Sequence, residues 1–137
     1  MRKAEQFARR LHCGQVDKAG RAYVEHLAFV AEHICIKNDE IEAVAWLHDS
    51  VEDTQCSLDD IRQEFGNVIA EAVEAITKKQ GEAYFSYLER VKANPIARVV
   101  KLADLSHNLD LGRLPQITEK DLKRAEKYKS AVKFLEA

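Results

Sequence analysis

Apolar residues recur at three- and four-residue spacing along almost the whole chain, and strict apolar–polar alternation is nearly absent. A chain patterned this way buries stripes on cylinders rather than faces of pleated sheets, so the spacing predicts an all-α architecture. Ala4, Phe7, Ala8 and Leu11 share one face of a first helix that stops near Gly14. A second, over about Ala22 to Lys37, carries Tyr23, Leu27, Val30 and Ile34. Asp39 with Glu42 three residues on reads as a capping box for a third helix, which buries Ile41, Val44, Leu47 and Val51. Ser57 with Asp60 repeats that signal ahead of Leu58, Ile61 and Phe65, and Gly66 punctuates before a helix from Val68 to Ile76. Glu82 to Ala93 is helical, Asn94-Pro95 breaks it, and Pro95 suits the first turn of a helix reaching about Asn108. After a loop with Gly112 and Pro115, Thr118 and Asp121 cap a last helix that turns Leu122, Ala125, Tyr128, Val132 and Leu135 inward. ARVVKL alone could pass for a strand, but its flanks are helical. The expectation is one all-α bundle of about six or seven helices, without internal repeats.

Size and charge narrow what such a bundle can do. At 137 residues and 46% apolar the chain suits one domain with a core of its own, residues 1–137. Its 21 basic and 23 acidic residues nearly cancel, which argues against a nucleic acid or an anionic membrane as the main partner. No apolar run approaches a membrane span, and the opening MRKAEQFARR lacks a signal-peptide apolar core, so the expected location is cytoplasmic. Cys13, Cys35 and Cys56 are odd in number and form no C-x-x-C pair, which reads as reduced thiols behaving as small apolar side chains.

The chemistry concentrates in Trp46-Leu47-His48-Asp49-Ser50-Val51-Glu52-Asp53-Thr54. With each residue advancing about 100° on a helix, His48, Glu52, Asp49 and Asp53 crowd one side of barely two turns. Three carboxylates this close repel one another, and a bound cation relieves that most simply; a solvated acidic helix end is the plainer alternative. His26 lies at the edge of the second helix's apolar stripe, where a histidine that merely packs is also common. Asp104 interrupts an apolar helix where its inward face should continue, with Asn108 one turn on. A carboxylate there needs a partner, either a Lys or Arg side chain or a metal ion.

The blocks KAGRAYVEH, AWLHDSVEDT, FGNVIAEAVEAITK and VKLADLSHN carry the H…HD…D order of the HD superfamily of metal-dependent phosphohydrolases. Together they resemble the hydrolase domain of the Rel/SpoT enzymes and the single-domain small alarmone hydrolases, from roughly Phe7 to Leu114. The resemblance implies a helical HD fold holding one divalent ion, manganese first and iron or zinc as alternatives. It implies hydrolysis of the 3′-pyrophosphate of guanosine tetra- or pentaphosphate, with a nucleotide as the small-molecule partner. Carried over by position, His26, His48, Asp49 and Asp104 would ligate the metal. Glu52 and Asp53 would be the catalytic acidic pair that orients or deprotonates water. Asn108 and Lys18 would meet the nucleotide. Two imidazoles and two carboxylates independently suit manganese, iron or zinc.

Three positions depart from the family's pattern. Asp17 stands where an arginine packs on guanine, Leu27 where a proline follows the first histidine, and Leu105 where an arginine follows the last aspartate. An acid cannot stack as guanidinium does. Arg21 or Arg90 could replace that contact, and Lys78 and Lys79 are further cations for phosphate. The alternatives are an HD phosphatase acting on another nucleotide or phosphoester, such as a nucleoside monophosphate or phosphorylated dinucleotide, and a nucleotide-binding module without turnover. The oligomeric state is not legible in the sequence.

Overall fold

A computed structural model describes residues 2–17 and 20–137. Among them the helices are α1 (Arg2–Leu11), α2 (Tyr23–His33), α3 (Asp39–Leu47), α4 (Ser50–Asp53), α5 (Leu58–Phe65), α6 (Asn67–Ile76), α7 (Tyr84–Ala93), α8 (Pro95–Asn108) and α9 (Glu119–Glu136), with a 3-10 turn over Leu111–Arg113. The one β-type pairing in this set is an isolated antiparallel bridge between Val16 and Ala22, which closes the loop between α1 and α2. The count exceeds the expected six or seven in that the stretch opening at Asp39 breaks at His48-Asp49 and adds the short α4.

Burial explains the layout. In α3, Asp39 and Glu40 are exposed but Ala43 through Leu47 are all buried, so beyond its first turn this helix has no solvent face and serves as the central rod. It packs on α1, α2, α6 and α8. α8 meets α2, α3, α6, α7 and α9, burying Ala97, Val100, Ala103 and Leu105. Fully buried Leu27, Leu47, Leu88, Leu105 and Leu135 anchor the core, each worth about 1.5–3 kcal/mol of apolar transfer.

The capping boxes at Ser57/Asp60 and Thr118/Asp121 form in both directions. The box expected at Asp39 does not: Asn38 is the N-cap, and its side chain accepts from the Ile41 amide at 2.8 Å. α2 ends at His33 rather than Lys37, where Ile34 turns extended. Leu122, expected inward, is 53% exposed. The buried side of α9 runs through Ala125, Ala131 and Leu135, and on a wheel of about 100° per residue Leu122 lies roughly 120° from its middle. Cys13 and Cys35 are exposed, Cys56 is buried, and all three are unpaired.

Candidate metal centre

The site forms where α2, the α3–α4 junction and α8 meet. α3 stops at Leu47, and Asp49 takes φ −102° and ψ 0°, the sparsely used bridge region in which many active-site residues sit. The continuous helix assumed from the sequence therefore does not exist here, and the break folds the Asp49 carboxylate back toward His48. His48 Nε2 lies 3.2 Å from Asp49 Oδ2 and 3.4 Å from Asp104 Oδ1. His26 Nε2 is 2.9 Å from Asp104 Oδ1 and 3.8 Å from Asp49 Oδ2. One ligand atom from each of His26, His48, Asp49 and Asp104 lies within 4.8 Å of all the others. Both imidazoles and the Asp104 carboxylate are buried.

The donor set fits a divalent ion on this chain's own geometry. His48 Nδ1–H donates to the Ala45 carbonyl at 2.7 Å, which turns Nε2 toward the carboxylates as the nitrogen an ion would take in exchange for its proton. His48 Nε2 is fully buried and makes no hydrogen bond among the described residues. A buried nitrogen in that state is costly unless something binds it. Burial works to lower the His48 imidazole, but the summed pull of Asp49 and Asp104 outweighs it and holds it well above its usual 6.5. Burial likewise resists the charge on Asp49, and the facing His48 holds that carboxyl below its usual range. Two carboxylates thus recruit positive charge into a nearly dry site, and a divalent ion with N and O ligands answers that demand.

Other side chains hold this set in place. Lys101 Nζ donates to Asp104 Oδ2 at 3.1 Å, so the lysine and the histidines take opposite oxygens of one carboxylate. Burial would favour neutral Lys101, but the Asp104 charge keeps it an ammonium. Asn108 Nδ2 donates to Asp104 Oδ1 at 3.2 Å. The Tyr23 hydroxyl donates to Asp49 Oδ2 and lies 3.1 Å from Asp53 Oδ2. Burial, then the Asp49 charge, raises the phenol above its usual 10, so it stays protonated. Tyr23 was read from the sequence only as part of an apolar stripe, and Lys101 and His107 were given no role; each sits three residues from His26 or Asp104 on its own helix, one turn away on the same face.

A cleft of about 440 Å³ opens above this floor, lined in part by Asp17, Asp53, Asn108, Arg124 and Tyr128. Burial, then the Asp49 charge, raises both Glu52 and Asp53 above the usual carboxylate range. Asp53 lines the cleft and Glu52 does not. Lys18 lies outside the described residues. Arg21, Lys78, Lys79 and Arg90 are also absent from the cleft lining. Arg90 is engaged elsewhere, paired through two nitrogens with Glu82 at 2.9 and 2.7 Å and donating to the Glu74 and Thr77 carbonyls at 2.9 and 3.0 Å. Asp17, where the arginine was missed, accepts from the Arg21 amide at 3.1 Å and so braces its own loop.

A "GTP pyrophosphokinase" of Streptomyces antibioticus is 37% identical over 145 residues, spanning 98% of this chain and 16% of the relative. A "Bifunctional (p)ppGpp synthase/hydrolase SpoT" of Escherichia coli is 30% identical over 122 residues, spanning 80% of this chain and 17% of the relative. The chain thus spans about a sixth of the length of these curated relatives. A solved structure described as a metazoan ortholog of SpoT that hydrolyzes ppGpp superposes with a TM-score of 0.81 over 98% of this chain and 83% of that one, at 24% identity, and so shares the fold. The HD domain family model matches residues 4–110, which takes in every one of the four converging side chains. On that match and this helical architecture, the chain belongs to the HD domain family.

Proposed function

We propose that the protein is a metal-dependent phosphohydrolase that removes the 3′-pyrophosphate of guanosine tetra- or pentaphosphate. His26, His48, Asp49 and Asp104 would hold one divalent ion, manganese first and iron or zinc next by ligand type. The observation that carries the reading is the convergence of two imidazole nitrogens and two acid oxygens within 4.8 Å at the foot of a cleft. An Aquifex aeolicus relative named guanosine-3′,5′-bis(diphosphate) 3′-pyrophosphohydrolase, 29% identical over 119 residues, supports the substrate.

When bound, the ion neutralises phosphate charge and makes a nearby water easier to deprotonate. Water attacks the phosphorus attached to the 3′ oxygen, the P–O bond breaks, pyrophosphate leaves, and the 3′ oxygen takes up a proton. Asp53, on the cleft wall and with its carboxyl raised by burial and by Asp49, would accept the proton from water. Glu52 adds a second raised carboxylate one residue away and completes the acidic pair. Asn108, on the same wall and tied to Asp104, would contact the nucleotide, and Lys18 would add a cation to the phosphates.

Manganese-loaded protein is expected to release pyrophosphate from guanosine tetraphosphate. Release no greater than that of a His48→Ala control ends this reading. A second reading has its own observation: the cleft lining also carries Asp17, Asp110 and Asp121 and, as cations among the described residues, only Lys101 and Arg124, which pair with Asp104 and Asp121. Such a lining favours a phosphoester with fewer charges, such as a nucleoside monophosphate. Faster turnover of monophosphates than of guanosine tetraphosphate would establish it. Tight nucleotide binding with no turnover of either would instead mark a binding module.

A further inference from the structure

His107, on α8, touches the centre without belonging to its four ligands. His26 Nδ1 and His107 Nδ1 are 2.6 Å apart, both rings are buried, and they come from different helices. Their planes differ by 21° with centroids 4.9 Å apart, close to the N–N contact plus two ring radii. The rings therefore meet edge to edge in nearly one plane, the direction in which an imidazole lone pair points. The Phe29 ring of α2 lies face-on against His107, with centroids 4.1 Å apart, and holds its plane.

A contact of 2.6 Å between two imidazole nitrogens requires exactly one proton between them in the neutral pair. If His26 Nε2 gives its lone pair to an ion, His26 carries its proton on Nδ1, and that proton must be donated. The acceptor in reach is His107 Nδ1. We propose that His107 is a positioning residue that fixes the tautomer and ring plane of His26 for metal binding, with Phe29 as its brace. This rests on the reading of His26 as a ligand. A histidine here has one property a carboxylate lacks: by changing tautomer it can donate to His26 Nδ1 instead, leaving Nε2–H free to bond Asp104 Oδ1, 2.9 Å away.

The test compares the wild-type chain with His107→Phe and His107→Gln by calorimetric titration with manganese chloride. Phenylalanine keeps a ring against Phe29 and removes the acceptor; glutamine keeps an acceptor. Loss of a hydrogen-bonding partner behind a metal-binding histidine weakens affinity by about 10–100-fold, which is the expectation for His107→Phe, while His107→Gln recovers most of it. Folded His107→Phe with wild-type affinity overturns the proposal. Should that variant fail to fold, nitrogen-15 spectra of zinc-loaded wild type decide. A nitrogen–nitrogen coupling across the hydrogen bond from His26 Nδ1–H to an unprotonated His107 Nδ1 supports the proposal, and a protonated His107 Nδ1 overturns it. Wild type that binds manganese yet leaves guanosine tetraphosphate intact defeats the substrate assignment alone. Wild type that binds no ion overturns both.

Discussion

Tyr23 sets one phenol against two carboxylates of different duty, Asp49 among the four converging donors and Asp53 on the cleft wall. Because the phenol stays protonated, it donates, and its ring is stacked on His12 with centroids 5.0 Å apart. Tyr23→Phe keeps that ring and removes only the donor. The expected outcome is a loss of about tenfold in kcat, equivalent to about 1.4 kcal/mol, with KM for the nucleotide unchanged. A rise in KM with kcat intact would show that the hydroxyl meets substrate instead. The four converging side chains were named in the sequence through the H…HD…D resemblance, while their residue types alone left a packed histidine, an acidic helix end and a paired carboxylate open. Their supports were not named, because a tyrosine, lysine or histidine one turn from a ligand is chemically ordinary until the partner helix is in place. Asp104 illustrates this: the sequence left open a lysine or an ion as its partner, and the carboxylate offers one oxygen to Lys101 and the other to the histidines.

Two joints between helices matter as much as the helices. Gly66 ends α5 and opens α6 at φ 94° and ψ 174°, a region that side chains other than glycine rarely enter. A Cβ at Gly66 would meet nothing within 4 Å, so the penalty is purely one of backbone conformation. Gly66→Ala should lower unfolding free energy by about 1–3 kcal/mol in urea titrations; an unchanged midpoint would mean that α5 and α6 can meet otherwise. The second joint is the Arg90–Glu82 pair, which ties α7 to the carbonyls at the end of α6. The hydrogen bonds from Arg90 bring the Glu82 carboxyl from 4.5 down to about 2. A depressed carboxylate adds stability that is full above its unfolded value and is lost as pH falls through the folded one. Between about pH 4.5 and about pH 2, wild type should lose stability faster than Glu82→Gln, and thermal unfolding of both at several pH values measures it. Parallel curves would remove the pair from the acid response. The periodicity showed these helices but not their junctions. The break at His48-Asp49 left no glycine or proline in the sequence, since it comes from how Asp49 is held among α2, α3 and α8.

At the scale of the whole chain, the cleft shows what spacing cannot reveal. Arg124 and Tyr128 reach it from α9, beyond the matched residues 4–110, and α9 reads as an ordinary amphipathic helix. The four converging side chains are likewise distributed over α2, the α3–α4 junction and α8, elements that pack on one another around the central rod. An ion bound there exists only in the folded state, because the unfolded chain separates His26 from Asp104 by most of its length. Binding therefore adds to stability, by about 2.7 kcal/mol when free ion is a hundredfold above its Kd. In a domain of this size each kcal/mol moves Tm by roughly 2–6 °C, so manganese should raise Tm by about 5–15 °C over chelator-treated protein. His48→Ala should lose that increment. Removing the imidazole also takes the charge partner from the carboxylates of Asp49 and Asp104 and leaves a cavity, so the variant's own Tm without metal should fall below wild type. The diagnostic quantity is accordingly the difference between the manganese and chelator scans of each protein, not either Tm alone. An equal increment in both would move the ion away from these four side chains, and no increment in wild type would leave the buried carboxylates balanced by protons and Lys101.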